Sequence, residues 1–252
     1  HEFRLTPWSN DGVAASSGEA LYLRDEDSGR FWSVTPAPAG DGGTYVTRHG
    51  FGYSVFEHEA EGIHSELTVY VDLTEAVKFS VLRVQNRAGH TRRLSATGYV
   101  EWVLGDLRPK TAMHVVTSID PASGALLARN GYNSDFEGRV AFFDVDDLSR
   151  TLSGDRGEFI GRNGSLAAPA AMQRVRLSGR LGAALDPCGA IHVPFSLHDG
   201  ERKEIIFRLG AGRDVAQASG LARRLRTPGS ARAALARVQA YWRETLGSVQ
   251  VN

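Results

Sequence analysis

The sequence predicts a mainly β fold: a β-sandwich over residues 1 to about 210, followed by a helical segment over residues 211–252. Three observations lead there. Most of the chain consists of short runs of alternating apolar and polar residues, the signature of strands with one buried face. Gly, Pro, Asn and Asp punctuate those runs at turn positions. Past residue 210 the pattern switches to Ala- and Arg-rich segments with helical spacing.

In chain order, "EALYLRD", "EDSGR" and "FWSV" read as strand, turn and strand. Residues 52–60 and 63–71 read as two strands joined at Glu61-Gly62. In the second, Ile63, Leu67, Val69 and Val71 share one face with Ser65, and His64, Glu66, Thr68 and Tyr70 share the other. "KFSVLRVQN" ends at the turn "NRAGH", and "RRLSATGYVEWVL" alternates over the length of a long strand. The later runs "VAFFDV", "RVRLSGRLG", "AIHVPFSL" and "EIIFRLG" also read as strands, the last two joined by the tight turn "HDGE". At the C-terminal end, Leu235, Val238, Trp242 and Leu246 fall on one helical face. Thr227 suits the N-cap, Pro228 the first turn and Gly247 the position past the last turn.

The 252 residues suffice for one large all-β domain or two ordinary ones. Formal net charge is zero, so nothing points to nucleic acid or an anionic membrane as partner. The single cysteine, Cys188, excludes an intrachain disulfide. No signal peptide or long apolar run stands out, which predicts a soluble chain. The opening His-Glu-Phe and the ending "GSVQVN" suggest a piece of a longer protein.

"FEHEAEGIHSE", residues 56–66, is the densest cluster of ionisable groups. A zinc-protease helix needs His-Glu-x-x-His, because that spacing puts both ligands on one helical face. Here Gly62 occupies the second histidine position, and His64 comes two residues later. If the stretch is a hairpin, His58 and His64 could approach across it, with carboxylates as neighbours. A polar sheet face is the expected reading, with no metal site. Glu57, Glu59, Glu66 and Glu101 are candidates for a glycosidase-type acid pair, but any sheet protein supplies such pairs by chance. There is no G-x-S-x-G nucleophile elbow. The Gly50-Phe51-Gly52 stretch is no phosphate loop, since no helix follows it. Trp8, Trp32, Phe51, Tyr53, Tyr99 and Trp102 lie near charged or amide residues. Flat aromatic faces beside planar polar groups suit sugar recognition, and sandwich core is the alternative for each of them.

Six stretches in order, "LTPWSNDGVAASSGEALYLRDEDSGRFWS", "YVTRHGFGYSVFEHEAEGI", "RRLSATGYVEWVLG", "ALLARNGYN", "GDRGEFIGRNGS" and "DPCGAIHV", resemble the N-terminal β-sandwich of the family 94 glycoside phosphorylases. Within that family they are similar to the version carried by cyclic β-1,2-glucan synthases. The resemblance runs from Leu5 to Val251. It implies a galactose-mutarotase-like β-supersandwich followed by a helical linker and an (α/α)6 barrel. The barrel would carry the general acid and the phosphate site, and its segments are absent from this chain.

The resemblance further implies that this chain lacks catalytic residues and any cofactor of its own, inorganic phosphate being co-substrate of the parent enzyme. The segment matching "RHGFGYS" would face the sugar, so Arg48, His49 and Tyr53 are the carbohydrate-binding candidates, with Trp8, Asn10 and Asp11 behind them. Expected partners are a β-glucan oligosaccharide, the barrel of the same polypeptide and a second copy in a homodimer. The expected location is the cytoplasmic side of a bacterial inner membrane, as part of a larger membrane protein. Asp155, Arg156, Glu158 and Arg162 are expected to brace a long loop. A purely structural, dimerising domain is one alternative. An aldose-epimerase-like enzyme using His64 with Glu66 or Glu101 is the other.

Overall fold

A computed structural model describes residues 4–8, 18–132 and 137–247. The described residues form thirteen strands: β1 (Glu19–Asp25), β2 (Phe31–Ser33), β3 (Tyr45–Gly50), β4 (Tyr53–Ala60), β5 (Ile63–Val71), β6 (Val77–Asn86), β7 (Arg92–Glu101), β8 (Val115–Ile119), β9 (Leu126–Asn130), β10 (Val140–Val145), β11 (Thr151–Asp155), β12 (Pro187–Leu197) and β13 (Arg202–Gly212). Four helices accompany them: α1 (Arg108–Thr111), α2 (Arg156–Ile160), α3 (Val215–Leu225) and α4 (Ser230–Gly247). All strand pairs are antiparallel. They build a five-stranded sheet in the order β11-β12-β7-β1-β2 and an eight-stranded sheet in the order β3-β4-β5-β6-β13-β10-β9-β8.

The inward faces meet in a core that includes Leu23, Trp32, Ile63, Leu67, Leu82, Trp102, Phe143, Ile191 and Phe207, all buried. Alternation along each strand produces that face, and burial of these large side chains is the main force holding the sheets together. The hairpin expected at residues 61–62 is present. Glu61 and Gly62 take φ 53° and 75°, the left-handed pair that a two-residue turn between twisted strands requires. The turn at residues 198–201 is also present, with Gly200 at φ 76°.

Each sheet is also covered over part of its outer face. Over the five-stranded sheet, Phe159, Ile160, Ala171, Met172 and Leu177 pack on Tyr22, Tyr99, Cys188 and Ala190. The expected strand at residues 174–182 is instead irregular chain in this cover. Leu177 turns inward to the cover's core, and Gly179 and Gly182, at φ 78° and 130°, break the extended run. Asp155, Arg156 and Glu158 do brace the segment. Arg180 pairs with Asp155 at 2.8 Å and Arg156 with Glu101 at 2.7 Å. Glu158 accepts from Arg174 at 3.0 Å and from the Ser178 hydroxyl at 2.6 Å.

Over the eight-stranded sheet lie α3 and α4. Ala218, Leu221, Ala222 and Leu225 of α3 follow the i, i+3, i+4, i+7 pattern and pack, with Ala231, Ala234 and Val238 of α4, on Tyr70, Phe79, Val81 and Phe142. The helical segment therefore folds back onto the sandwich where the sequence suggested that it leads away. Asp214 caps α3, accepting from the Gln217 N–H at 2.7 Å. α4 begins at Ser230, three residues past the expected cap Thr227, and Leu246 is exposed. Buried charge ties the junction of the two helices down. Asp144 holds Arg150 at 2.9 Å and Arg226 at 2.5 Å, and Arg208 donates to the Leu225 carbonyl at 2.8 Å.

Candidate functional site: the tip of the β3–β4 hairpin

The eleven residues richest in ionisable groups form the β4–β5 hairpin, and register decides what each side chain can do. His58 lies opposite Ser65 and Glu59 opposite His64. Paired residues share a face and neighbours alternate, so His58 and His64 point to opposite sides and do not meet. His58 is buried. It stacks on Tyr45 at 3.7 Å and is held by the Thr44 carbonyl at 2.9 Å and Asp41 at 3.2 Å. His64 lies on the outer face, 3.9 Å from Glu59. Among the described residues no group of three or more His, Cys, Asp or Glu could hold a metal ion.

The candidate acids are each engaged by arginine. Glu57 pairs with Arg48, Glu59 with Arg87 at 2.8 Å, and Glu66 with Arg83 at 2.9 Å. Glu101 receives Arg156 at 2.7 Å and Arg108 at 2.9 Å. Each of these carboxylates is thus occupied by a guanidinium and is not turned towards a partner carboxylate across an open cleft, as a glycosidase acid pair requires. Glu66 is on the outer face of one sheet and Glu101 at the end of β7 in the other. An epimerase-like acid and base built from His64 with Glu101 is therefore not assembled. His64 and Glu66 face the same side, but the second of them is committed to Arg83.

Arg48, His49 and Tyr53 come together on one hairpin. Among the described residues β3 is the edge of its sheet and pairs with β4 alone, Arg48 opposite Val55, His49 opposite Ser54 and Gly50 opposite Tyr53. Arg48 is exposed on the outer face. His49, on the other face, shares a 2.9 Å hydrogen bond with the Ser54 hydroxyl. Gly50 is needed because the Tyr53 ring lies across it: a Cβ there would stand 2.3 Å from the ring. Gly52, at φ 81°, supplies the left-handed turn residue. Phe51 at the tip is 69% exposed. Beneath the tip lies an open groove of about 640 Å³, lined by His49, Tyr53, Tyr70, Asp72, Val238 and Trp242 among others.

The remaining candidates lie elsewhere. Trp8 is exposed on the segment that pairs with the chain after β7, its ring under the Arg4 guanidinium at 5.6 Å. Asn10 and Asp11 lie outside the described residues. Trp32, Tyr99 and Trp102 are core residues. Sequence reasoning missed the groove's other wall. Trp242 was legible only as one residue of an apolar helical face, and Asp72 carried no signal at all.

The family model described as "Glycosyl hydrolase 94, supersandwich domain" matches residues 1–228. The chain belongs to this family. It is 34% identical over 254 residues to the cyclic beta-(1,2)-glucan synthase NdvB of Rhizobium meliloti (strain 1021), covering 99% of this chain and 9% of that protein. It is 28% identical over 259 residues to the N,N'-diacetylchitobiose phosphorylase of Vibrio proteolyticus, covering 98% of this chain and 32% of that one. The supersandwich thus spans a minor part of each relative's length. Among solved structures, a bacterial glucoamylase complexed with acarbose superposes with a TM-score of 0.62 at 6% identity, over 92% of this chain and 32% of that chain. That likeness concerns the fold alone. Among the described residues no helix is long and apolar enough to cross a membrane.

Proposed function

We propose that this chain is the non-catalytic, carbohydrate-facing supersandwich of a larger enzyme that makes or trims β-1,2-glucan, with the β3–β4 tip as its sugar-facing edge. The observation that carries this reading is the hairpin. It presents a cation, an imidazole and two aromatic rings at an exposed edge beside an open groove, while every candidate acid on the chain is tied up by arginine. Such an edge can stack on and hydrogen-bond to a sugar, and the carboxylate beside it, Glu57, is paired with Arg48.

In the parent enzyme the general acid and the phosphate site belong to another domain, the expected (α/α)6 barrel. There phosphate would attack the anomeric carbon as the acid protonates the departing oxygen, and the sandwich would hold the chain being shortened. Residues 211–252 form the connection towards that barrel, and the assembled enzyme would work at the cytoplasmic face of a bacterial inner membrane. A homodimer is compatible with the exposed β3 edge, whose unpaired backbone groups can accept another strand.

The test is calorimetric titration of the chain with linear and cyclic β-1,2-glucans, with cellobiose as control. Saturable binding of the β-1,2-glucans that weakens about ten-fold or more in Arg48→Ala and in Tyr53→Ala is the expected result. Wild-type affinity retained by both variants would move the sugar site off the tip.

A further inference from the structure

The tip is a two-residue turn at the end of an edge strand, and among the described residues only one side of its hairpin is hydrogen-bonded to a further strand. Its other support comes from α4, roughly 190 residues away in sequence. A Cβ on Gly52 would stand 2.5 Å from Nε1 and 2.6 Å from Cδ1 of Trp242, and 2.7 Å from Cγ1 of Val238. The glycine backbone therefore sits directly on the edge of the indole, with no space between them. Trp242 is braced in turn by Tyr241, ring to ring at 5.4 Å and 80°.

The helix is itself fixed to the sheet next to the hairpin. The Tyr70 hydroxyl donates to the Ala231 carbonyl at 2.6 Å, and Arg237 pairs with Asp72 at 2.6 Å. Asp72 is in turn set by Thr74, which donates to it through both its N–H and its hydroxyl at 2.9 Å. Tyr70 pairs with Tyr53 across β4–β5. One side of the tip thus reaches the helix through Gly52 and Trp242, and the other through Tyr53, Tyr70 and Ala231.

We infer that Trp242 is a positioning residue: its indole seats Gly52 and holds the β3–β4 tip in the shape that presents Arg48 and Tyr53, so that α4 and the tip move as one unit. The inference rests on the sugar-facing reading for its functional meaning, and on the contacts alone for its mechanical one. A shift of α4 would then change how the tip meets sugar without any change in the sugar-contacting residues themselves. Positioning of this kind lowers the ordering cost of binding and adds no new contact.

The test uses two readouts on Trp242→Ala and Trp242→Phe in the full chain. The first is hydrogen exchange at the amides of residues 50–54, with those of residues 198–201 and of β6 as internal controls. Trp242→Ala should speed exchange at the tip about ten-fold or more and leave the controls unchanged, and Trp242→Phe should restore most of the protection. Unchanged tip exchange in Trp242→Ala overturns the inference. If Trp242→Ala loosens the whole domain, Trp242→Leu decides, since it keeps apolar bulk on the helix and withdraws the indole edge from Gly52: loosening confined to residues 50–54 supports the inference, and wild-type protection there overturns it. The second readout is affinity for linear β-1,2-glucan. It should fall about five-fold in Trp242→Ala and recover in Trp242→Phe. Absence of glucan binding in the wild type would refute the sugar-facing reading and leave the exchange result to decide the coupling.

Discussion

The outer face of the eight-stranded sheet has two halves built from the same strands. In one, Tyr70 of β5 and Phe79 of β6 carry the apolar roof of α3 and α4. In the other, a few residues along the same two strands, Glu66 and Arg83 continue into Glu204 of β13 as a row of ion pairs at 2.9 Å, open to solvent. Both halves lie on the same antiparallel pair in one unbroken register. What differs is the side chain every second residue, and that alone decides whether a helix can be buried there. The lesson is that alternation in a sequence assigns a face, and the chemistry of the face then selects its cover.

Breaking the roofed half should cost most. Asp144 is fully buried and holds two arginines beneath the α3–α4 junction. Asp144→Ala leaves Arg150 and Arg226 without their carboxylate and should destabilise the fold by about 3–5 kcal/mol, measured by denaturant unfolding. A loss under about 1 kcal/mol would mean that the helices are held by apolar packing alone.

A smaller effect is expected on the other sheet, whose outer face is roofed by α2 and the irregular chain after it. His192 is buried there against Thr97, with Arg24 and Glu26 nearby, and burial pulls its pKa below the ordinary histidine value. The unfolded chain then takes up a proton that the folded chain refuses. Stability is therefore full above the ordinary histidine pKa and falls as pH drops through it. His192→Gln should flatten the decline between neutral pH and about pH 5 relative to wild type. Equal slopes would contradict that assignment.

The smallest effect belongs to the bare half. Arg83→Ala removes two exposed ion pairs and should change stability by under about 1 kcal/mol, with the melting midpoint as the check. A loss comparable to that of Asp144→Ala would erase the distinction between the two halves.

The sequence made most of the strands, the Glu61-Gly62 turn and the helical end legible, because period and turn chemistry are local; it did not mark the short strands β3, β8, β9 and β11. It also excluded a zinc-protease helix, since Gly62 stands where a ligand is required. It did not show that residues 174–182 form an irregular cover. Their alternation mimics a strand, and only the burial of Leu177 and the positive φ of Gly179 and Gly182 reveal otherwise. Nor did it show that His58 and His64 face apart, which depends on register one residue at a time. The tip was found through family resemblance, and its support by Trp242 only in three dimensions.

The central claim is that sugar meets this domain at the β3–β4 tip and not on the bare polar face, where His64, Glu66, Arg83, Arg87 and Glu204 line a second depression of about 390 Å³. Hydrogen exchange of the chain with and without a linear β-1,2-glucan separates the two directly. The account predicts added protection at residues 48–54 and none at residues 64–66, 83–87 and 202–204. Protection confined to the polar face, with the tip unchanged, would contradict it.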